Sequence, residues 1–165
     1  MNKQLADSAL VYLETTVVSY LTANPSRNVV VAGHQQSTRE WWDNRKQKFR
    51  VVASQLVLQE ASRGDSEAAE RRLDILRAVD LLEITPDAAA LARAFIENGV
   101  VPETSLEDAL HVAVAVTNGC NYLMTWNFRH LAGAGVRARI EAFCQNEGYE
   151  PTIICTPEEL LEDEV

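Results

Sequence analysis

Three acids and one amide carry the chemistry this chain suggests: Glu14, Glu60, Asp108 and Asn127. Glu14 ends the apolar run Leu10-Val11-Tyr12-Leu13 and is followed by two hydroxyls, Thr15 and Thr16. A short apolar run closed by polar residues suits the carboxyl edge of a parallel strand, where open α/β sheets place their ligands. Glu60 follows Leu56 by four residues and Val57 by three, so on a helix it shares their inward face. A carboxylate there is costly unless something compensates it. Asp108 opens the apolar segment Ala109-Leu110-His111-Val112-Ala113, and Asn127 follows Leu123-Met124-Thr125-Trp126. Carboxylates and amide carbonyls are the ligands that Mg2+ and Mn2+ prefer. Such an ion is what phosphodiester hydrolysis needs to activate water and neutralise the phosphate. Three crowded carboxylates would repel one another, and a divalent cation relieves that. Spacing alone does not bring the four residues together.

Each has a plainer reading. Glu14 can be a polar strand end, Glu60 an exposed helix acid, and Asn127 a turn residue. Ser105-x-x-Asp108 has the form of a capping box, which would occupy Asp108 at the helix start. Thr125 is either a buried strand threonine or a hydroxyl supporting the acids. His111, one turn after Asp108, reads as a satisfied core histidine. Arg129 and His130 follow Asn127 closely enough to approach a phosphate. Trp41, Trp42 and Trp126 read as core or interface residues, with base stacking as the alternative.

The elements that must position these residues alternate. Strands are expected at about 10–14, 49–53, 81–84, 121–125 and 152–155. Helices are expected after Thr15 or Thr16 as cap, over 28–48 in two pieces, after Ser54 as cap, over 66–79, from Thr85-Pro86 to Asn98, from about 105 to 117, over 134–146, and after the capping box Thr156-Pro157-Glu158-Glu159. The expected architecture is a three-layer α/β/α domain with a central, mostly parallel sheet of four to five strands. It spans 1–165 as one domain, with 1–8 and 162–165 loose.

A net charge of −9 argues against a protein that coats nucleic acid with a basic surface. It leaves room for a metal-dependent enzyme acting on phosphodiesters, since its acids add to the negative count. No apolar run is long enough to span a bilayer, and the N-terminus lacks the pattern of an export signal. Cys120, Cys144 and Cys155 are widely spaced and odd in number, which fits reduced thiols in a cytoplasm.

Four stretches in order give the chain a resemblance. Val11-Tyr12-Leu13-Glu14-Thr15-Thr16, Ser54-Gln55-Leu56-Val57-Leu58-Gln59-Glu60, Glu107-Asp108-Ala109-Leu110-His111-Val112-Ala113 and Leu123-Met124-Thr125-Trp126-Asn127 resemble the acid-bearing motifs of the PIN domain. That family contains metal-dependent ribonucleases and the VapC-type toxins of toxin–antitoxin pairs. The resemblance covers Val11 to about Cys155 and departs at Glu14, where the family usually has Asp, and at Asn127, where many members have Asp. It implies an endoribonuclease with one or two Mg2+ or Mn2+ ions held by Glu14, Glu60 and Asp108. Asn127, backed by Thr125, would complete the site, with Thr15 and Arg129 in support. It also implies a cognate antitoxin and a homodimer. The alternative is a degenerate, non-catalytic domain that binds RNA or a protein partner, for which Glu14 and Asn127 are the best support.

Overall fold

The computed structural model of the protein describes residues 8–161. Of the ends expected to be loose, 1–7 and 162–165 lie outside the described residues, and the acidic stretch Glu162-Asp163-Glu164 with them. Among the described residues, five strands form one sheet: β1 (Leu10–Leu13), β2 (Arg50–Ser54), β3 (Asp80–Leu82), β4 (Tyr122–Met124) and β5 (Ile153–Cys155). Their order is β3-β2-β1-β4-β5, and every pairing is parallel. The helices are α1 (Thr15–Thr22), α2 (Val29–Asn44), α3 (Gln55–Ala61), α4 (Ser66–Leu76), α5 (Pro86–Glu97), α6 (Leu106–Thr117) and α7 (Ala134–Asn146). Short 3-10 turns cover Lys46–Lys48 and Glu103–Ser105, and a π turn covers Phe128–Ala132.

β1 is the central strand, and Val11, Tyr12 and Leu13 have no exposed surface. Continuous burial is what a parallel strand covered on both faces requires. Around it α1 packs against α2, α3 and α4, while α5 pairs with α6. α6 is buried at Ala109 and from His111 to Val116, as expected of a helix apolar nearly all round. The order of strands reverses beside β1: β2 and β3 build outward on one side, β4 and β5 on the other. Such a switch point opens a crevice beyond the carboxyl ends of the adjacent strands.

Several local expectations shift. Thr15 and Thr16 are not the cap of α1; Glu14 is, accepting from the Thr16 amide. Ser54 makes no capping bond, because its hydroxyl lies 2.7 Å from Tyr12 Oη inside the core. β3 begins at Asp80 and ends at Leu82 because α4 stops earlier than its pattern suggests, at Leu76. The reciprocal bonds between Thr156 and Glu159 form, but the residues from Pro157 to Leu161 make a turn and not a helix.

Candidate metal centre at the switch point

The register of β1 on β4 pairs Leu13 with Met124. One step further puts Glu14 beside Thr125, and the Glu14 amide donates to the Met124 carbonyl at 3.0 Å. Glu14 is 4 % exposed, although it is a carboxylate. Its cost of burial is offset by three donors converging on one oxygen, Oε2. These are the Thr16 amide (3.0 Å), the Thr16 hydroxyl, and the Thr125 hydroxyl (2.8 Å). Oε1 accepts no hydrogen bond among the described residues and is left for a ligand. The amino end of α1 adds its favourable dipole.

Glu60 reaches the same place from α3. Its Oε1 accepts from the Thr15 hydroxyl at 2.6 Å and meets His111 Nε2 at 2.6 Å. Burial opposes ionisation of Glu60, but the bond and charge of His111 and the bond from Thr15 outweigh it. The carboxyl is thereby held down near 2. His111 is fully buried, and burial works against its charge; its bond to Glu60 and the charges of Glu14, Glu60 and Asp108 win and raise its pKa. On the far side of the ring, Nδ1 is 2.7 Å from Tyr12 Oη, which is in turn bonded to Ser54. A protonated His111 donates to both Glu60 and Tyr12, and Tyr12 then donates to Ser54. Burial keeps the Tyr12 phenol protonated for that purpose.

Asp108, in the first turn of α6, is half-buried. Burial, and then the charge of Glu14, push its pKa up. It does not close the capping box: Ser105 makes no capping bond and instead lies 3.3 Å from His130 Nδ1. Asp108 Oδ1 accepts from Asn127 Nδ2 at 3.1 Å. The side-chain oxygen Oδ1 of Asn127 accepts the His130 amide and caps the π turn, so both ends of the side-chain amide are engaged. Thr125 links the two halves of the site, donating to Glu14 while accepting the Asn127 amide at 3.0 Å.

The predicted residues therefore gather unevenly. One donor atom each from Glu14, Glu60 and His111 fall within 4.8 Å of one another. Asp108 lies at the edge of this group, near enough to feel the charges of Glu14 and Glu60. Thr15 and Thr125 both bond the acids. Arg129 is exposed on the π turn, with no bond to any of them. Two participants were not assigned to the site from the sequence. Thr16 donates to Glu14 and accepts the Trp126 amide at 2.9 Å. His111 is the satisfied core histidine its apolar surroundings suggested, but its partner is a site acid. The signal was its position one turn after Asp108.

The donor set fits a hard divalent ion. Oxygen ligands dominate, Glu14 presents an uncommitted oxygen, and Asp108, raised by burial first and by the charge of Glu14 second, stands beside acids whose repulsion a cation would relieve.

The model of the PIN domain family matches residues 11–133. Solved structures with the same fold include VapBC2 from Rickettsia felis bound to a DNA fragment from its promoter. It is 14% identical, with a TM-score of 0.56 over 89% of this chain and 98% of that one. VapC20 from Mycobacterium tuberculosis, a toxin that cleaves the sarcin–ricin loop, is 18% identical. Its TM-score is 0.57 over 72% of this chain and 91% of that one. FitAcB from Neisseria gonorrhoeae is 14% identical, with a TM-score of 0.56 over 89% of this chain and 97% of that one. No curated protein matches the sequence.

Proposed function

The chain belongs to the PIN-domain family, and on that premise we propose that it is a metal-dependent endoribonuclease, the toxin of a toxin–antitoxin pair. The observation that carries this reading is the convergence of Glu14 and Glu60 beside the switch point of the sheet, with Asp108 of a third segment at the edge of the group. Glu14, Glu60 and Asp108 would hold Mg2+ or Mn2+, directly or through water. When bound, such an ion lowers the pKa of water and neutralises charge on a phosphate. The protein's own part is orientation. Thr16 and Thr125 fix one oxygen of Glu14 and turn the other toward the site. Thr15 and His111 fix Glu60, and Asn127 fixes Asp108. His111, whose pKa is raised by its bond to Glu60 and by the charges of the acids against the effect of burial, is drawn toward its charged form among them.

The non-catalytic alternative rested on Glu14 and Asn127. It loses ground because Glu14 remains in the cluster and Asn127 still grips Asp108. Likeness to VapBC complexes supports a cognate antitoxin as partner. The homodimer and a cytoplasmic setting extend the same reading. The three buried cysteines are compatible with that compartment. No helix among the described residues is long and apolar enough to cross a membrane. Incubation of the purified protein with mixed RNAs, with Mn2+ or with EDTA, tests the central claim. Cleavage that needs the metal and disappears in Asp108→Asn supports it; identical RNA profiles in every sample reject it.

A further inference from the structure

We propose that the Phe128 ring is a stacking shelf for an unpaired base next to the scissile phosphate, an inference that rests on the ribonuclease reading above. Phe128 is 48 % exposed and is the one aromatic among the large exposed hydrophobic side chains of the described residues; the others are Val, Leu and Ile. It directly follows Asn127, whose side-chain amide holds Asp108, so its backbone adjoins the acidic site. Of the tryptophans considered for stacking, Trp41 has no exposed surface and Trp126 only 5 %, and the half-buried Trp42 carries the Lys46 ammonium over its ring at 4.2 Å from the centroid.

What distinguishes Phe128 from a stray surface ring is its backing. His34 and Trp126 lie behind it, with centroids at 5.8 and 6.1 Å. Those two rings stack on each other at 4.1 Å and 15°, and Tyr20 continues the stack on Trp126 at 6.0 Å. Trp126 Nε1 donates to Thr38 Oγ1 at 2.8 Å, so the supporting ring cannot swing. The Phe128 amide donates to the Trp126 carbonyl at 3.0 Å, which fixes the backbone. A ring already held in place loses little freedom when a base settles on it.

Charge supplies the second half of the argument. With a net charge of −9 and a cluster of acids at its centre, this protein cannot draw RNA in by a broad basic surface. Beyond any contact through a metal ion, contacts that do not depend on phosphate charge gain weight, and base–aromatic stacking is one every base can make. A base paired in a duplex has no face to offer, so the shelf selects single-stranded or looped RNA.

The test uses the full chain carrying Asp108→Asn, which leaves the RNA intact, and two probes of equal length: a fluorescently labelled oligoadenylate and an abasic ribose-phosphate oligomer. Adding Phe128→Ala is expected to weaken oligoadenylate binding about tenfold or more, the range of a lost base–aromatic stack. Binding of the abasic oligomer stays the same, and Phe128→Trp restores the affinity. Equal weakening of both probes, or undiminished oligoadenylate binding by Phe128→Ala, overturns the proposal, the second result leaving Phe128 as an apolar contact for a protein. No binding by the parent protein also overturns it. Cleavage of mixed RNAs by the protein with Asp108 in place is read separately. Metal-dependent cleavage without base-selective binding removes the shelf alone; base-selective binding without cleavage removes the nuclease and keeps the shelf.

Discussion

His111 Nε2 and Glu60 Oε1 are 2.6 Å apart, joining a fully buried imidazole to a carboxylate that faces the candidate metal site. The pair pulls each partner toward its charged form against the cost of burial. Glu60 sits near 2 instead of 4.5, so its stabilisation is complete above pH 4.5 and is lost as the pH falls toward 2. His111 is raised above 6.5, so its share is complete below 6.5 and is lost as the pH rises through its folded value. The metal-free protein is therefore expected to lose resistance to urea on the alkaline side of that value. His111→Asn, which cannot take up the proton, lacks this decline. Urea midpoints measured against pH in EDTA decide the matter, and a wild-type curve that stays flat or rises there contradicts it.

Asn127→Asp places a carboxylate against Asp108, where the native amide donates at 3.1 Å. Without metal this adds a like charge to a group whose pKa is already raised by burial and by Glu14. The variant is expected to be less stable in EDTA, by about 1–3 kcal/mol for the lost bond and new repulsion together. With Mg2+ the extra charge reverses its effect and tightens binding. Calorimetric titration with Mg2+ and thermal unfolding with and without the ion read both signs; an unchanged affinity tells against Asp108 as a ligand.

The architecture was largely legible, because alternating apolar strands and helices with Gly and Asn at their ends leave few other folds. The α7 bounds, the helix start at Thr85-Pro86 and the burial of the apolar α6 match the sequence reading. What sequence pattern misjudged were polar residues with a choice of partner. Ser54 has the position of a cap, yet its hydroxyl serves Tyr12 across the sheet, forty-two positions away. Ser105 and Asp108 fit a capping box, yet each finds a partner in the segment after β4. Local spacing reports only the nearby option, and the long-range one exists once the strands have paired. The π turn had no signature either, since it depends on the Asn127 cap and on the space left beside Gly133.

Thr125 has no exposed surface and bridges Glu14 and the Asn127 amide. Thr125→Val keeps the shape and removes both bonds. It is expected to cost about 1–3 kcal/mol, because a buried amide and a carboxylate oxygen each lose a partner. Cleavage is expected to fall roughly 10–100-fold, the usual scale for loosening a ligand's support. Thr125→Ser retains the hydroxyl and should recover most of the rate. Chemical denaturation paired with single-turnover cleavage checks this; a Val variant with the native rate would show that Glu14 needs no such support.

Gly133 offers a test of the turn itself. Its backbone φ is −64°, open to any residue, so the constraint is space. A Cβ added there would stand 2.6 Å from the Phe128 carbonyl oxygen, which belongs to backbone and cannot swing away. Gly133→Ala must therefore move the π turn, at a cost of about 1–3 kcal/mol for an overpacked site. Asn127 caps that turn and Phe128 begins it, so the displacement reaches Asp108 through the amide that holds it. The variant is expected to lose cleavage with metal affinity weakened, whereas Gly135→Ala, with only the flexible end of Arg139 within reach, keeps both. Thermal midpoints, Mg2+ titration and cleavage rates on the two variants separate the outcomes. A Gly133→Ala protein with native stability and rate would mean that the close approach of Phe128 and Gly133 does not shape the site.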